Sequence, residues 1–488
     1  MRIALIAPAW GRLYGSFRAL SREINTTAPL GLAYLAGALA AAGYRPKIYD
    51  VEVSHRDEPT LLAAVAEFAP AAIGVSATSP VIVEATRLAR TIGRRMSKPL
   101  ILGGPHISAV GADALRDDSP FAYGLLGDAE QTFPALLQAL SDGADVSHIP
   151  GAVVRRDGQA IVNETHQPPA DLDALPQPSF PGIEWRRYRW SVPGAGLRIA
   201  VPIIASRGCP YHCQFCFRDQ RRRGVQRRQA ANIVEEMRQR LAETPARHFV
   251  FVDDFLTGDR EIINELCDRC RALTPAFSWE GDTRADAVND ELLRAMRRAG
   301  CVRLNFGVES GDPEILRRLG KQTDLRVVRE AFAAAKRAGL ETRGTFILGT
   351  AHETRATVRR TLRLAAGLRE LDQPYISIAI PYPGTRLRTM AVAGEGGLRL
   401  LDASYERLGR YGNALMEIND LTPRFLIRAQ KWGTLWAYLQ PARLGHNLTR
   451  SGWREALRLT WAFLQTIVRP PRLSPPLTAG KLGAYQSK

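Results

Sequence analysis

The chain has 488 residues, 45% of them hydrophobic, and a formal net charge of +17. That length predicts roughly three domains, and no apolar run approaches the ~18 residues of a membrane-spanning helix. The opening Met1-Arg2-Ile3-Ala4-Leu5-Ile6-Ala7-Pro8 is too short for a signal peptide, so a soluble, cytoplasmic chain is expected. The positive charge admits a nucleic acid, an anionic membrane or an acidic substrate as partner and by itself selects none.

Residues 1–150 alternate strand and helix, which predicts an α/β domain with a doubly wound parallel sheet. Arg2–Ala7 reads as a buried strand, and Pro29–Leu39 as a helix stopped by Gly43. Pro46–Val51 and Thr60–Phe68 form the next strand and helix, and Ala71–Ser76 a third strand. Leu100–His106 is expected as a fourth strand running into a glycine turn, and Ala122–Leu126 as a fifth. Small residues gather where these strands end: Ser76, Thr78, Gly103, Gly104, and Gly127-Asp128-Ala129-Glu130. Ligands of doubly wound sheets bind at those carboxyl ends, and glycine permits close backbone approach to a bulky group. The plain alternative is ordinary βα turns.

Residues 151–196 read as a connector. Gly151–Glu164 alternates like a hairpin with Asp157-Gly158 at its turn, and Pro168, Pro169, Pro176, Pro178 and Pro181 then interrupt regular structure. The run Trp185-Arg186-Arg187-Tyr188-Arg189-Trp190 suits either a substrate or RNA contact or packing over a domain junction.

After the apolar run Ile199–Ala205 comes Ser206-Arg207-Gly208-Cys209-Pro210-Tyr211-His212-Cys213-Gln214-Phe215-Cys216. Three cysteines at C-x3-C-x2-C spacing suit three corners of a [4Fe–4S] cluster, whose iron takes cysteine sulfur. A Cys3His zinc site with His212 is the competing reading, but zinc sites usually draw ligand pairs from separated segments. A disulfide is not expected in a reducing compartment. Cys267 and Cys270, three apart on a predicted helix, read as core.

Residues 197–395 repeat strand–helix units. Strands are expected at His248–Val252, Phe277–Asp282, Val302–Val308, Glu341–Leu348 and Tyr375–Ile380. The helices are expected at Ala230–Ala242, Arg260–Leu273, Asp290–Ala299, Leu325–Ala338 and Thr354–Leu368. With the strand before the cysteines this makes a partial (β/α)6 barrel, whose function belongs at the carboxyl ends of its strands. Those ends carry Asp253-Asp254, Arg284, Glu309-Ser310, Gly349 and Pro381-Tyr382-Pro383-Gly384-Thr385.

Residues 396–488 read as a basic, mostly helical region with an end expected to be disordered. Trp432, Trp436, Trp453 and Trp461 fall here. A helix from Trp453 to Val468 would set Trp453, Leu457, Trp461, Leu464 and Val468 opposite Arg454 and Arg458, as in a helix lying on anionic lipid. Packing on the barrel is the alternative.

The cysteine loop, Asp253-Asp254, Gly307-Val308-Glu309-Ser310-Gly311, Ile347-Leu348-Gly349 with Glu353-Thr354, and Pro381-Tyr382-Pro383-Gly384-Thr385 together resemble the radical S-adenosylmethionine (SAM) enzymes. Pro29-Leu30-Gly31-Leu32, Leu102-Gly103-Gly104-Pro105-His106 and the Gly-x-x-Glu at 127–130 resemble the cobalamin-binding domain that precedes the barrel in one branch of that family. The resemblance spans roughly residues 1–395. It implies that Cys209, Cys213 and Cys216 hold the cluster. It also implies that Phe215, Asp254, Arg284, Glu309, Ser310 and Gly349 surround SAM, with Glu309 counted as catalytic. Ser76, Thr78, Gly103, Gly104 and Glu130 would line the cobalamin slot.

Two departures stand out. The Asp-x-His-x-x-Gly that gives cobalt a histidine elsewhere is replaced by Asp50-Val51-Glu52-Val53-Ser54-His55, which implies base-off binding. Thr350 stands where the family usually has proline after Gly349. The implied activity is methylation of an unactivated carbon through a 5′-deoxyadenosyl radical, with ring closure or rearrangement as the alternative. A zinc-stabilised RNA- or membrane-binding protein is the remote one. The implied partners are a small-molecule substrate with lipid-like character, a flavodoxin- or ferredoxin-type electron donor, and a membrane face through the C-terminal region. Nucleic acid is not expected.

Overall fold

The computed structural model describes residues 1–11, 25–54, 57–116, 118–156, 158–163, 171–222 and 224–445. The expected turn residue Asp157, His55 and the Trp453–Val468 helix lie outside the described residues. Two compact units emerge. The first holds Met1–Gly11, Thr27–Tyr188 and Asp219–Arg228; the second holds Arg189–Arg218 and the described residues from Gln229 on, with Asn25 and Thr26.

In the first unit, strands β1 (Arg2–Ala7), β2 (Arg45–Asp50), β3 (Ala72–Ser76), β4 (Leu100–Gly103) and β5 (Tyr123–Leu125) alternate with helices. These are α1 (Leu30–Ala41), α2 (Glu58–Phe68), α3 (Ile82–Arg95), α4 (Pro105–Val110) and α5 (Thr132–Asp142). The five strands run parallel in the order β2-β1-β3-β4-β5. Ile3 to Ile6 are fully buried, as a strand covered on both faces requires. Asp57 caps α2 by accepting from the Thr60 N–H.

Two expectations shift. The fourth strand stops at Gly103, and Pro105 opens a helix, because proline suits a first helical turn and Gly104 takes φ +95°. The connector hairpin is also no free-standing element. Its strands β6 (Ala152–Arg156) and β7 (Gln159–Val162) extend the sheet antiparallel beyond β5, Leu125 facing Ala152.

The proline-rich stretch then packs along α1. The Ser179 N–H donates to Ala33 O at 2.9 Å, and a Cβ at Gly37 would stand 2.2 Å from Gln177 O. Tyr188 is fully buried among Ala28, Val53, Phe180, Ile183 and Trp185, its hydroxyl donating to Asp50 at 3.0 Å. Trp185 and Tyr188 of the aromatic–basic run are therefore packing residues.

The second unit is a parallel sheet whose strands are β9 (Gly196–Ile203), β10 (His248–Phe251), β11 (Ser278–Thr283), β12 (Cys301–Glu309), β13 (Glu341–Leu348) and β14 (Gln373–Ile378). They are ordered β14-β13-β12-β11-β10-β9, with β8 (Arg189–Val192) antiparallel on the β9 edge. The crossovers are α6 (Ala230–Glu243), α7 (Arg260–Cys270), α8 (Asp290–Arg298), α9 (Pro313–Arg318) with α10 (Leu325–Arg337), and α11 (Arg355–Gly367).

Side chains alternate across this sheet. One face packs on helices: Phe306 meets Phe332 at 4.7 Å and Phe251 meets Trp279 at 5.4 Å, centroid to centroid. The opposite, concave face is polar. Near the amino ends, Arg303 reaches Glu280 at 2.6 Å and Glu341 at 2.7 Å, all three buried. Burial alone would raise Glu280, but Arg303 outweighs it and holds the carboxyl low. Cys267, Cys270 and Cys301 are buried.

Beyond the sheet lie α12 (Arg386–Ala393), the hairpin β15 (Leu398–Leu400) with β16 (Met416–Ile418), and α13 (Pro423–Tyr438). Helix α13 is locked on by Arg443, whose buried guanidinium donates to Ala365, Ala366, Leu368, Leu371 and Ala437 carbonyls. Among the described residues no helix is long and apolar enough to cross a membrane.

Candidate active site and cofactor cradle

The cysteine loop leaves the carboxyl side of β9 and is pinned at its backbone. The Gln214 N–H donates to Leu319 O at 3.1 Å, and Gln214 O accepts from Leu387 at 2.8 Å. Buried Asp253, just past β10, holds the loop's start: it accepts from the Ala205 N–H and from the Ser206 hydroxyl at 2.6 Å. Burial pushes the Asp253 carboxyl up to about 6 despite those bonds. Its neighbour Asp254 is exposed. The pair divides the work, Asp253 fixing the loop and Asp254 remaining available at the strand end.

Cys209, Cys213 and Cys216 are all unbridged thiols. Enclosure of the sulfur raises Cys213 and pushes Cys216 to about 12, and Cys209, Glu309 and Lys321 act on both. Cys213 and Cys216 are thus disfavoured as separate thiolates, a cost that binding to cluster iron would remove. Among the described residues no three His, Cys, Asp or Glu side chains already converge on a point, so the fit rests on the donor set. His212 lies with Nε2 2.8 Å from Arg218 Nη1. Phe215 is half-buried in the loop.

Arg284, after β11, is buried and fully engaged. It is bidentate to Asp286 at 2.9 and 2.6 Å, donates to Lys321 O at 2.6 Å, and stacks 3.7 Å from the Tyr211 ring centroid. Its carboxylate partner is Asp286, and the guanidinium braces the loop through Tyr211.

Glu309 ends β12 with φ +69°, a left-handed conformation for a non-glycine residue. Such strain persists where surroundings over-determine it, as at working sites. Its carboxylate accepts from Lys321 Nζ at 3.2 Å, both side chains 8% exposed. Gly307 makes room: a Cβ there would meet Glu309 Oε1 at 2.5 Å and Lys321 Nζ at 2.6 Å. Ser310 is turned into the fold, 3.2 Å from Thr361 Oγ1 and accepting from the Asp312 N–H. Gly349 takes φ +84°, and its N–H donates to buried Glu353 at 2.6 Å. Burial pushes Glu353 up to about 7.

Sequence reasoning missed Lys321 and the tasks of Tyr211 and Glu353. Lys321 follows a helix as one basic residue among many, with no pattern to single it out.

In the first unit, Ser76 and Gly103 end neighbouring strands and face each other in register. A Cβ on Gly104 would lie 2.8 Å from Ser76 Oγ and 2.9 Å from Ala77 N, whereas one on Gly103 would meet open space. Thr78 is exposed beside them. This is a backbone-lined opening at sheet ends, suited to a bulky group. His106 is buried, 3.0 Å from Ser79 Oγ, and burial holds its pKa down at about 4. It belongs to the turn. Asp128 is bidentate to Arg222 at 2.7 and 2.9 Å, while Glu130 is buried.

Both halves have counterparts among known proteins. The chain matches the B12 binding domain over residues 25–137 and the radical SAM superfamily over residues 203–365. It belongs to the cobalamin-dependent radical SAM enzymes, with a [4Fe–4S] cluster, SAM and cobalamin as cofactors.

An uncharacterized methyltransferase of Pyrococcus horikoshii is 28% identical over 90% of this chain and 93% of its own length. The anaerobic magnesium-protoporphyrin IX monomethyl ester cyclase of Rubrivivax gelatinosus is 28% identical over 69% of this chain, which spans 61% of that enzyme. The radical SAM methyltransferase TsrM of Kitasatospora setae, solved with tryptophan and a SAM analogue, shares the fold. Its TM-score is 0.67 at 19% identity, covering 83% of this chain and 79% of that one.

Proposed function

We propose that this protein transfers a methyl group to an unactivated carbon of a small-molecule biosynthetic intermediate. One observation carries the reading: a three-thiol loop at the carboxyl end of a parallel half-barrel stands in the same chain as a backbone-lined cradle at the ends of a β2-β1-β3-β4-β5 sheet. When bound, the reduced cluster and SAM supply a 5′-deoxyadenosyl radical that removes hydrogen from the substrate carbon, and methylcobalamin supplies the methyl group.

The chain's own residues position the reactants. Cys209, Cys213 and Cys216 would hold the cluster iron. Asp254 would accept from the SAM ammonium, and Glu309, oriented by Lys321, from ribose hydroxyls. Gly349 would offer flat backbone to adenine, with Phe215 and Ser310 nearby. Arg284 holds the loop through Tyr211. Ser76, Thr78, Gly103, Gly104 and Glu130 would line the cobalamin slot, and His106, buried against Ser79, would stay part of the turn.

The relatedness to a ring-forming cyclase keeps ring closure as a second reading. Incubating the anaerobically reconstituted protein and its substrate with SAM carrying a trideuteriomethyl group separates the two. A product heavier by the labelled methyl supports transfer; an unlabelled, ring-closed product supports the cyclase.

We further propose that the electron donor is a flavodoxin or ferredoxin. Exposed Trp432 and Trp436 on α13, with Leu439 and Leu444, support a peripheral contact with the inner membrane face. Co-sedimentation with anionic vesicles, lost in Trp432→Ala/Trp436→Ala, tests that contact.

A further inference from the structure

The concave face of the second unit holds a polar pair that none of the assigned roles uses. On β11 and β12 the side chains of Trp279 and Phe306 point to the helices, so Asp282 and Asn305, of opposite parity, point to the concave side. The two are register neighbours, and Asn305 Nδ2 donates to Asp282 Oδ1 at 2.5 Å.

The amide orientation follows from chemistry. An ionised carboxylate only accepts, so it faces the NH2 group, and Asn305 Oδ1 is left pointing elsewhere. That oxygen is buried with no hydrogen-bond partner among the described residues. The Asp282 side chain is open, while Asn305 Oδ1 beside it is shut off from solvent, so the pair lines a recess in the concave face.

The neighbours define the recess. Below it, Arg303 pairs with Glu280 at 2.6 Å and with Glu341 at 2.7 Å, and this buried trio forms the floor. Arg343 is engaged by Gln373 Oε1 at 3.1 Å and lies 4.9 Å from the Tyr375 ring centroid. Val252, past the end of β10, is 44% exposed and supplies an apolar flank. Asn305 precedes Glu309 by four residues of the same strand, about 13 Å at the usual strand rise. A small molecule seated on the pair would therefore extend towards the strand ends where Glu309 and the cysteines lie.

We propose that Asp282 and Asn305 form the substrate-anchoring subsite, and that they select a substrate whose far end carries a hydrogen-bond donor, an ammonium or a hydroxyl. Two adjacent acceptors in a recess welcome donors and repel a carboxylate or phosphate. Because Arg343 is already held, it does not reverse that preference. The inference rests on the methyltransferase reading for what happens at the other end of the molecule. The pairing itself names the class of substrate: an apolar skeleton terminated by an amine or alcohol rather than by an acid.

The test uses the full chain reconstituted with cluster, cobalamin and SAM, titrated calorimetrically with n-hexylamine, 1-hexanol and sodium hexanoate. Wild type should bind both donor probes at least about tenfold more tightly than hexanoate. Asp282→Asn should lose about tenfold for hexylamine while hexanol stays within about threefold, since a neutral acceptor replaces the charge. Asp282→Lys should invert the order in favour of hexanoate. Should that variant lose cluster or cobalamin, Asn305→Leu serves instead, weakening both donor probes with hexanoate unchanged.

Equal binding of the three probes, or an unchanged order in the variants, overturns the proposal. Donor selectivity is read whether or not methyl transfer occurs. Failure of the labelled-methyl experiment with selectivity intact would therefore condemn the reaction and spare the subsite.

Discussion

The carboxyl ends of the two parallel sheets are built from opposite materials. In the first unit the opening is lined by Ser76, Thr78, Gly103 and Gly104, small groups that offer backbone and space. In the second, it is lined by Glu309, Lys321, Arg284 and the aspartates after β10, with charges placed to within hydrogen-bonding distance. The difference teaches what each end must do. On the proposed reading, a large preformed cofactor would be held by shape and backbone, where an added Cβ is the hazard. A reacting cofactor would be held by oriented charge, where a lost carboxylate is the hazard.

The comparison breaks most sharply at the cysteines. Cys213→Ala should abolish iron incorporation and all 5′-deoxyadenosine formation while leaving cobalamin binding intact, as iron analysis and chromatography would show. Next in size is Glu309→Gln, which leaves Lys321 buried without its counter-charge, a loss of about 2–5 kcal/mol for a buried hydrogen-bonded pair. SAM cleavage should fall by about two orders of magnitude or more, with iron content unchanged.

Gly104→Val tests the opposite material. Its φ of +95° and the 2.8 Å approach to Ser76 leave no place for a branched side chain. Cobalamin affinity should drop by about tenfold or more, at a stability cost of at least about 1–2 kcal/mol, while cluster and SAM cleavage persist. Loss of both cofactors together would show that the two ends are not separable.

The smallest effect concerns pH. Glu353 is raised from 4.5 to about 7 by burial, so between those values the folded chain keeps a proton that the unfolded chain releases. Its contribution to stability therefore falls as pH rises through that window. Asp253, raised to about 6 by burial, acts in the same direction. Glu353→Gln should flatten this slope in urea denaturation compared at about pH 5 and pH 8, by up to about 3 kcal/mol.

Much of this was legible in the residue order. The strand–helix alternation and the cysteine spacing are local patterns, and β1 and β13 fall at the expected Arg2–Ala7 and Glu341–Leu348. The apolar run from Leu100 and the glycine turn after it are visible in the sequence, but only the backbone at Gly104 shows Pro105 beginning a helix. The alternation over Gly151–Glu164 marks a hairpin, but its membership in the first sheet depends on β5 lying beside it.

Charge pairing was the least legible. Asp253 and Asp254 are adjacent and chemically identical in the sequence, yet one is buried under the cysteine loop and the other is exposed. Arg284 follows a strand end with Asp286 and Asp282 both two residues away, and only the fold shows that it takes Asp286.

The sequence by itself determined the parts: two runs of alternating elements, a three-thiol loop, glycines and acids at strand ends. Those depend on periodicity and spacing, which neighbouring residues carry. The tertiary structure alone decided which acid faces which base, that Lys321 backs Glu309, that Arg284 is spent on Asp286 and Tyr211, and that Asp282 and Asn305 stand together on an open concave face. Except for Arg284 with Asp286, such pairings join residues at least 12 positions apart. No local pattern records them, because sheet register and burial, rather than chain order, set which side chains meet.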